Sequence, residues 1–479
     1  MLPSLSSLLL RSTQPQLKPY ISKFQYTTAS TMKHHCNLTY ISLIALILTG
    51  CQTESNRISS PPIKAKDEPT HIYQLKDNRS DKTSTQVSYS YGTRPFYLVN
   101  DMGEGPLKKE LQSCLGQTPQ KTDFSISHRG APLQYPEHTY DGYLAAAHMG
   151  AGVLECDVAF TKDHQLVCRH AQNDLHSTTN ILATPLANQC TQPPKFDAKG
   201  NLTNASQIEC RTSDISLAEF KSLQGKMDAA NKEATNLTDY MNATPAWRTD
   251  LYSQNGQLLS LEEHIALTKS LGLKHTPELK APSVAMPHID ANGNPYTQAD
   301  YRQQLIHAYQ NAGISAKEVF PQSFNLSDIR AWIEETPDFG ENAVYLIDDS
   351  NETATNKTFD KDDPTTWKHS PQQLKAMGIN IIAPATWLLV SSDGHGNMLP
   401  SNYAKQAQAA GLEMITWSLE RSGPLAKGGG WYYTGLEDAI NNDGDMFNFI
   451  DVLAQQVGVK AIFSDWPATV TYYANCKGL

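Results

Sequence analysis

The chain has no surplus of positive charge. Its 39 Lys and Arg are outnumbered by 49 Asp and Glu, a formal net charge of −10 over 479 residues. That balance argues against a nucleic-acid surface, which needs clustered basic side chains. An anionic ligand would therefore need a local positive feature, such as a metal ion. No C-x-x-C pair occurs, which removes the usual zinc-ribbon and zinc-finger sites. No Gly-rich dinucleotide loop follows a strand. Beyond the first 51 residues no apolar run is long enough to span a bilayer. What is present, 39% hydrophobic and 18% charged residues, is enough to bury a full globular core.

The N-terminal residues read as targeting sequence. Residues 1–31 carry Arg11, Lys18 and Lys23 with no acidic residue, and resemble a transit peptide or translation from an upstream start. Residues 32–51, MKHHCNLTYISLIALILTGC, have the basic start, short apolar core and small-residue stop of a secretory signal. Leu48-Thr49-Gly50-Cys51 resembles the lipobox of bacterial lipoproteins, which implies acylation of Cys51 and a membrane anchor facing the periplasm or cell surface. An ordinary signal peptide is the alternative. Residues 52–86 are polar and aperiodic, a linker; 87–479 form the folded domain, opened by an aromatic stretch, SYSYGTRPFYLVNDM, that straps it.

Export fits the cysteines. Six lie beyond Cys51, and disulfides are the expectation, with Cys190 to Cys210 and Cys114 to Cys476 the pairings favoured among fifteen arrangements.

From Asp123 onward short apolar or alternating runs are separated by amphipathic segments, several ending in Gly. Eight such runs, beginning near Phe124, Gly152, Lys274, Glu318, Ala343, Asn380, Glu413 and Lys460, predict a closed (β/α)8 TIM barrel of class α/β, with a doubly wound open sheet as the alternative. A barrel needs about 250 residues. The surplus falls in a long insertion after the second strand, about 171–260, and in a loop after Trp417; both are expected to shape the substrate pocket.

Residues two apart on a strand share a face, so Glu155 and Asp157 in ECD point into the barrel together, as do Glu278 and Lys280 in PELK. Three carboxylates make an oxygen-only site for a hard divalent ion, Ca²⁺ or Mg²⁺. His128 ends the first strand and His170 ends LVCRH, a run that returns beside the second strand. Two histidines suited to moving protons, a metal, Arg129 and Lys280 supply what phosphodiester hydrolysis requires. The other histidines, His138 and His164 among them, are expected to be structural.

Taken in order, HRGAPLQYPEHT, ECDVAFTKDHQLVCRH, PELKAP and AIFSDWP resemble the motif set of the glycerophosphodiester phosphodiesterase family, over most of Asp123 to Cys476. The resemblance implies a TIM barrel, a divalent cation on Glu155, Asp157 and Glu278, acid/base roles for His128 and His170, and phosphate binding by Arg129 and Lys280. Glu137 and Trp417 are supporting residues. It also implies cleavage of a glycerophosphodiester to sn-glycerol 3-phosphate and an alcohol. Family members often carry Asp directly after the second His; here the nearest is Asp174. The rival expectations are a phosphodiesterase acting on intact lipid and a surface lipoprotein without catalysis. Asn201, Asn236 and Asn351 head N-x-S/T sequons.

Overall fold

The computed structural model describes residues 87–252, 256–290 and 293–479; the segments 1–31, 32–51 with Cys51, and 52–86 lie outside the described residues. Eight parallel strands form the barrel: β1 (Thr122–Ser127), β2 (Ala151–Phe160), β3 (Lys274–Leu279), β4 (Gln322–Ser323), β5 (Val344–Ile347), β6 (Ile381–Pro384), β7 (Glu413–Leu419) and β8 (Ala461–Ser464). They pair in chain order, and β8 returns to β1, with Ile126 opposite Phe463. That closure excludes the open sheet. All eight coincide with runs expected from sequence. β4 is cut to two residues because Pro321, just before it, has no N–H to give a ladder.

Each strand is followed by a helix: α1 (Tyr140–His148), α2 (Leu261–Ser270), α3 (Gln298–Asn311), α4 (Leu326–Glu335), α5 (Pro371–Ala376), α6 (Asn402–Ala409), α7 (Asp445–Asp451) and α8 (Ala468–Lys477). Capping boxes start three of them, Ser260 with Glu263, Thr297 with Asp300 and Ser370 with Gln373, satisfying amides that would otherwise be orphaned. α8 lacks a polar stripe because its seven residues from Ala468 to Ala474 are all buried. The aromatic strap covers it as helix Arg94–Asp101, joined by the next helix, Pro106–Ser113. Tyr91 packs edge-on against Tyr472 at 5.1 Å and donates to Asn475 Oδ1 at 2.7 Å.

The barrel lumen is filled by Ile126, Val153, Val344, Leu346, Ile415 and Phe463, while Cys156, Val158, Leu305 and Trp332 belong to the core between strands and helices. After β2 the chain turns at Thr161–Gln165 and returns as a short strand, Leu166–Cys168, antiparallel to β2. Residues 171–260 follow and build a core of their own from Leu175, Ile181, Phe220 and Tyr240. Three disulfides close the domain: Cys114–Cys476, Cys190–Cys210 and Cys156–Cys168, spanning 362, 20 and 12 residues. Sequence reasoning did not pair the last. On loop entropy it contributes about 3 kcal/mol and Cys114–Cys476 about twice that.

On the outer face of β3, His275 lies 5.2 Å from the Tyr309 ring, and burial lowers its pKa to about 4. An unfolded His titrates near about 6.5, so between those values the unfolded chain binds the extra proton. Stability held by this residue is therefore complete above about pH 6.5 and lost as pH falls towards the folded value. Denaturant unfolding from pH 4.5 to 7.5 should show a slope of stability against pH shallower by up to about one proton in His275→Gln than in the unaltered protein.

Candidate active site

Three strand ends meet in a cavity of about 350 Å³. At the end of β1 the backbone turns through Arg129 at φ +58° and Gly130 at φ +95°. A Cβ on Gly130 would come within 3.0 Å of the Gly142 carbonyl carbon, so this left-handed turn requires glycine. Ser127 closes it, its hydroxyl donating to Gly130 O at 2.9 Å. The turn aims the Arg129 N–H at Glu155 Oε2, 2.8 Å away on β2.

Glu155, Asp157 and Glu278 are buried together, each offering an oxygen within 4.8 Å of the others. Lys280 Nζ stands 2.6 Å from Glu278 Oε1 and 3.9 Å from Asp157 Oδ1. Burial, with Asp157 and Glu278 adding repulsion, drives the Glu155 carboxyl well above the usual range. Burial also raises Glu278, to about 8, against the pull of Lys280. Burial pushes Asp157 the same way, but Lys280 and His138 outweigh it and hold that carboxylate well below its ordinary value. Asp157 Oδ1 is buried with no hydrogen-bond partner. Hard oxygen donors, mutual repulsion and an orphaned oxygen fit a divalent cation of the Ca²⁺ or Mg²⁺ kind.

The histidines are held in different ways. His128 Nδ1 lies 2.5 Å from Asp465 Oδ1, which follows β8. Burial and Arg129 lower its pKa to about 4 although Asp465 opposes them. The ionised Asp465 accepts from Nδ1–H, leaving Nε2 of a neutral ring to take a proton. His170 lines the same cavity. Burial, then Arg129 and Lys280, hold its pKa well below normal. No side-chain hydrogen bond to its ring is found among the described residues. Asp174 does not reach it; that carboxylate instead accepts from Ala171 N at 2.9 Å and from Thr178 Oγ1 at 3.2 Å.

Three further residues belong to the site. His138, expected to be structural, is fully buried with Nε2 2.8 Å from Asp157 Oδ2 and Nδ1 2.7 Å from the Tyr143 hydroxyl. Its place in PEHT gave no hint, because only the fold brings that loop under β2. Asp465 was visible in AIFSDWP but unassigned. Arg421 gave no sequence signal; it bonds Glu137 Oε2 at 3.2 Å, Asp465 Oδ2 at 3.2 Å and Asp228 Oδ2 at 2.7 Å. Glu137 also accepts from Arg129 at 3.1 Å, a supporting position.

The cavity's far wall is aromatic: Phe324, Trp417, Trp431 and Tyr432. Trp417 is fixed by its indole N–H to Ala383 O at 2.8 Å. The loop after Trp417 thus shapes the pocket as expected. Segment 171–260 does not: none of the cavity's lining residues comes from it. It reaches the site through Asp228, which joins Arg421 to Arg248, whose Nε in turn donates to Pro132 O at 3.0 Å. Of the sequons, Asn351 is turned inward, its amide donating to Leu346 O at 2.8 Å.

The model of the glycerophosphoryl diester phosphodiesterase family matches residues 128–469. An "Extracellular protein" of Arthroderma benhamiae is 45% identical over 259 residues, 53% of this chain and all of that protein. A glycerophosphodiester phosphodiesterase of Arabidopsis thaliana is 21% identical over 399 residues, 80% of this chain and 93% of the other. Among solved structures, an Oleispira antarctica phosphodiesterase in complex with the product sn-glycerol-3-phosphate has 17% identity and a TM-score of 0.41, covering 76% of this chain and 99% of that one.

If the three carboxylates hold a cation, thermal melts should respond to it. Millimolar Ca²⁺ or Mg²⁺ should raise the melting temperature by several degrees over chelator-treated protein. Glu155→Gln, which removes a buried acid whose ionisation its neighbours oppose, should melt no lower than the unaltered chain in chelator and no longer respond to the ion.

Proposed function

Because the chain belongs to the glycerophosphoryl diester phosphodiesterase family, we propose that it hydrolyses glycerophosphodiesters to sn-glycerol 3-phosphate and an alcohol by metal-assisted acid/base catalysis. The observation that carries this reading is one cavity lined by His128, His170, Glu155, Glu278, Arg129 and Lys280, with Asp157 buried beside the two glutamates. Arg129 and Lys280 clamp the anionic phosphodiester. Glu155, Asp157 and Glu278 would hold a divalent ion, which would add neutralisation of charge on the phosphoryl oxygens. His128, kept neutral by burial and oriented by Asp465, takes the proton of the attacking hydroxyl at Nε2. That hydroxyl is the substrate's own glycerol 2-hydroxyl, so the first product is a cyclic phosphate, opened by water in a second step. His170 protonates the leaving oxygen. It does so with a proton taken up from solvent when substrate binds, because the phosphate charge offsets the cations that otherwise hold its pKa low.

The aromatic wall receives the leaving group. Asp348, at the end of β5, lines the same side; Oδ1 accepts from Ser350 N at 2.7 Å, while Oδ2 has no hydrogen bond among the described residues. Aromatic faces with one free carboxylate favour a cationic head group. Export is extended to this chain from the 32–51 segment and the name of the fungal relative. A lipid on Cys51 rests on the lipobox-like tetrapeptide alone and is read from the mass of the mature N-terminus.

His128→Ala and His170→Ala should each lower kcat by about 10² to 10⁴, measured as release of glycerol 3-phosphate from a panel of glycerophosphodiesters. Chelator should abolish turnover and an added divalent ion restore it. Equal activity on micellar phospholipid would point instead to an enzyme of intact lipid. Asp348→Asn should lower kcat/KM for glycerophosphocholine by about two- to fivefold relative to glycerophosphoglycerol, the roughly 0.5–1 kcal/mol expected of one exposed ion contact.

A further inference from the structure

His170 poses a positioning problem that His128 does not. The His128 ring is gripped by Asp465 and sits at the end of a barrel strand. The His170 ring has no hydrogen-bond partner among the described residues, and it follows a return strand only three residues long. Yet to exchange a proton with a bound substrate it must be held to within a fraction of an ångström.

The structure assigns that task to the Cys156–Cys168 disulfide, as a positioning cross-link for the site. Cys156 stands between Glu155 and Asp157, its side chain on the opposite face of β2, and Cys168 stands two residues before His170. The bond joins two fully buried sulfurs with their Cα atoms 5.3 Å apart. It therefore ties the carboxylate-bearing strand covalently to the segment that delivers the second histidine. Two weaker ties run alongside. Arg169 N–H donates to Asp157 O at 2.8 Å, and the fully buried Arg169 guanidinium donates to the carbonyls of Glu137 and Thr178. Hydrogen bonds permit the ends of a short strand to fray; a covalent bond at Cys168 does not. Of the three disulfides this one closes the shortest loop, 12 residues, and so does the least to restrict the unfolded chain. Its location at the site, rather than its worth as a staple, distinguishes it.

The inference rests on His170 acting in acid/base chemistry, and a double-mutant cycle separates the two claims. Four proteins are compared on a soluble glycerophosphodiester with saturating divalent ion: the unaltered enzyme, Cys156→Ala/Cys168→Ala, His170→Ala, and the triple variant. Removing the cross-link should lower kcat by about tenfold to a hundredfold while KM stays within about twofold. In the His170→Ala background it should cost nothing further, because residues acting through one group are not additive. Cys190→Ala/Cys210→Ala, the control, should lower the melting temperature with little change in kcat. Multiplicative losses in the triple variant, or a kcat within twofold in the cross-link variant, would overturn the positioning role. Unchanged activity of His170→Ala would instead remove the reading on which it rests. Should the cross-link variant not fold, graded reduction of the unaltered enzyme replaces it, with peptide mapping of each free thiol pair. Loss of kcat should then follow the appearance of free Cys156 and Cys168 with circular dichroism unchanged; retained kcat after that bond has opened would sink the idea.

Discussion

Three carboxylates buried within 4.8 Å of one another repel strongly, and most of what surrounds them compensates for that repulsion. Lys280 reaches over from the neighbouring strand end, His138 is brought under Asp157, and the Arg129 amide is turned towards Glu155. Gln322 on β4 adds an amide 3.3 Å from Glu155 Oε1. Each contact comes from a different strand end or loop, so the site exists only when the barrel closes. A buried like-charged cluster of this kind is unstable without positive charge among it, which is why the geometry and the cation reading stand together.

A second network surrounds the first. Arg421, from the loop after β7, gathers Glu137, Asp465 and Asp228. Asp465 holds His128 and Glu137 holds Arg129, so one guanidinium links the partners of the proposed proton-transfer group and the proposed phosphate clamp. Asp228 brings in segment 171–260, which thereby braces the site from behind without forming its wall.

The barrel and the first ring of the site were legible because they depend on local pattern. Alternation within FSISH and ECDVAF, and a shared face for Glu155 with Asp157, follow from strand geometry alone. What was missed depends on long-range closure. His128 and Asp465 are 337 residues apart, and nothing near either names the other. His138 was dismissed because a lone histidine in a loop has no face to read; the turn at Arg129, whose carbonyl accepts from the His138 N–H at 2.9 Å, and the left-handed backbone of His138 itself, φ +54°, deliver it to Asp157. The Cys156–Cys168 pair was hidden among equivalent arrangements. β4, expected over six residues, kept two because of one proline.

Cys114 and Cys476 lie near the two ends of the folded domain, and their bond makes a covalent ring of almost everything between them. A protease that cuts a single exposed loop, such as the one around Phe196 or the turn at Asp393–Asn397, would leave both halves attached. The barrel strands on either side of the cut would remain one molecule, at high effective concentration for each other. A single nick is then a reversible injury rather than a dissociation.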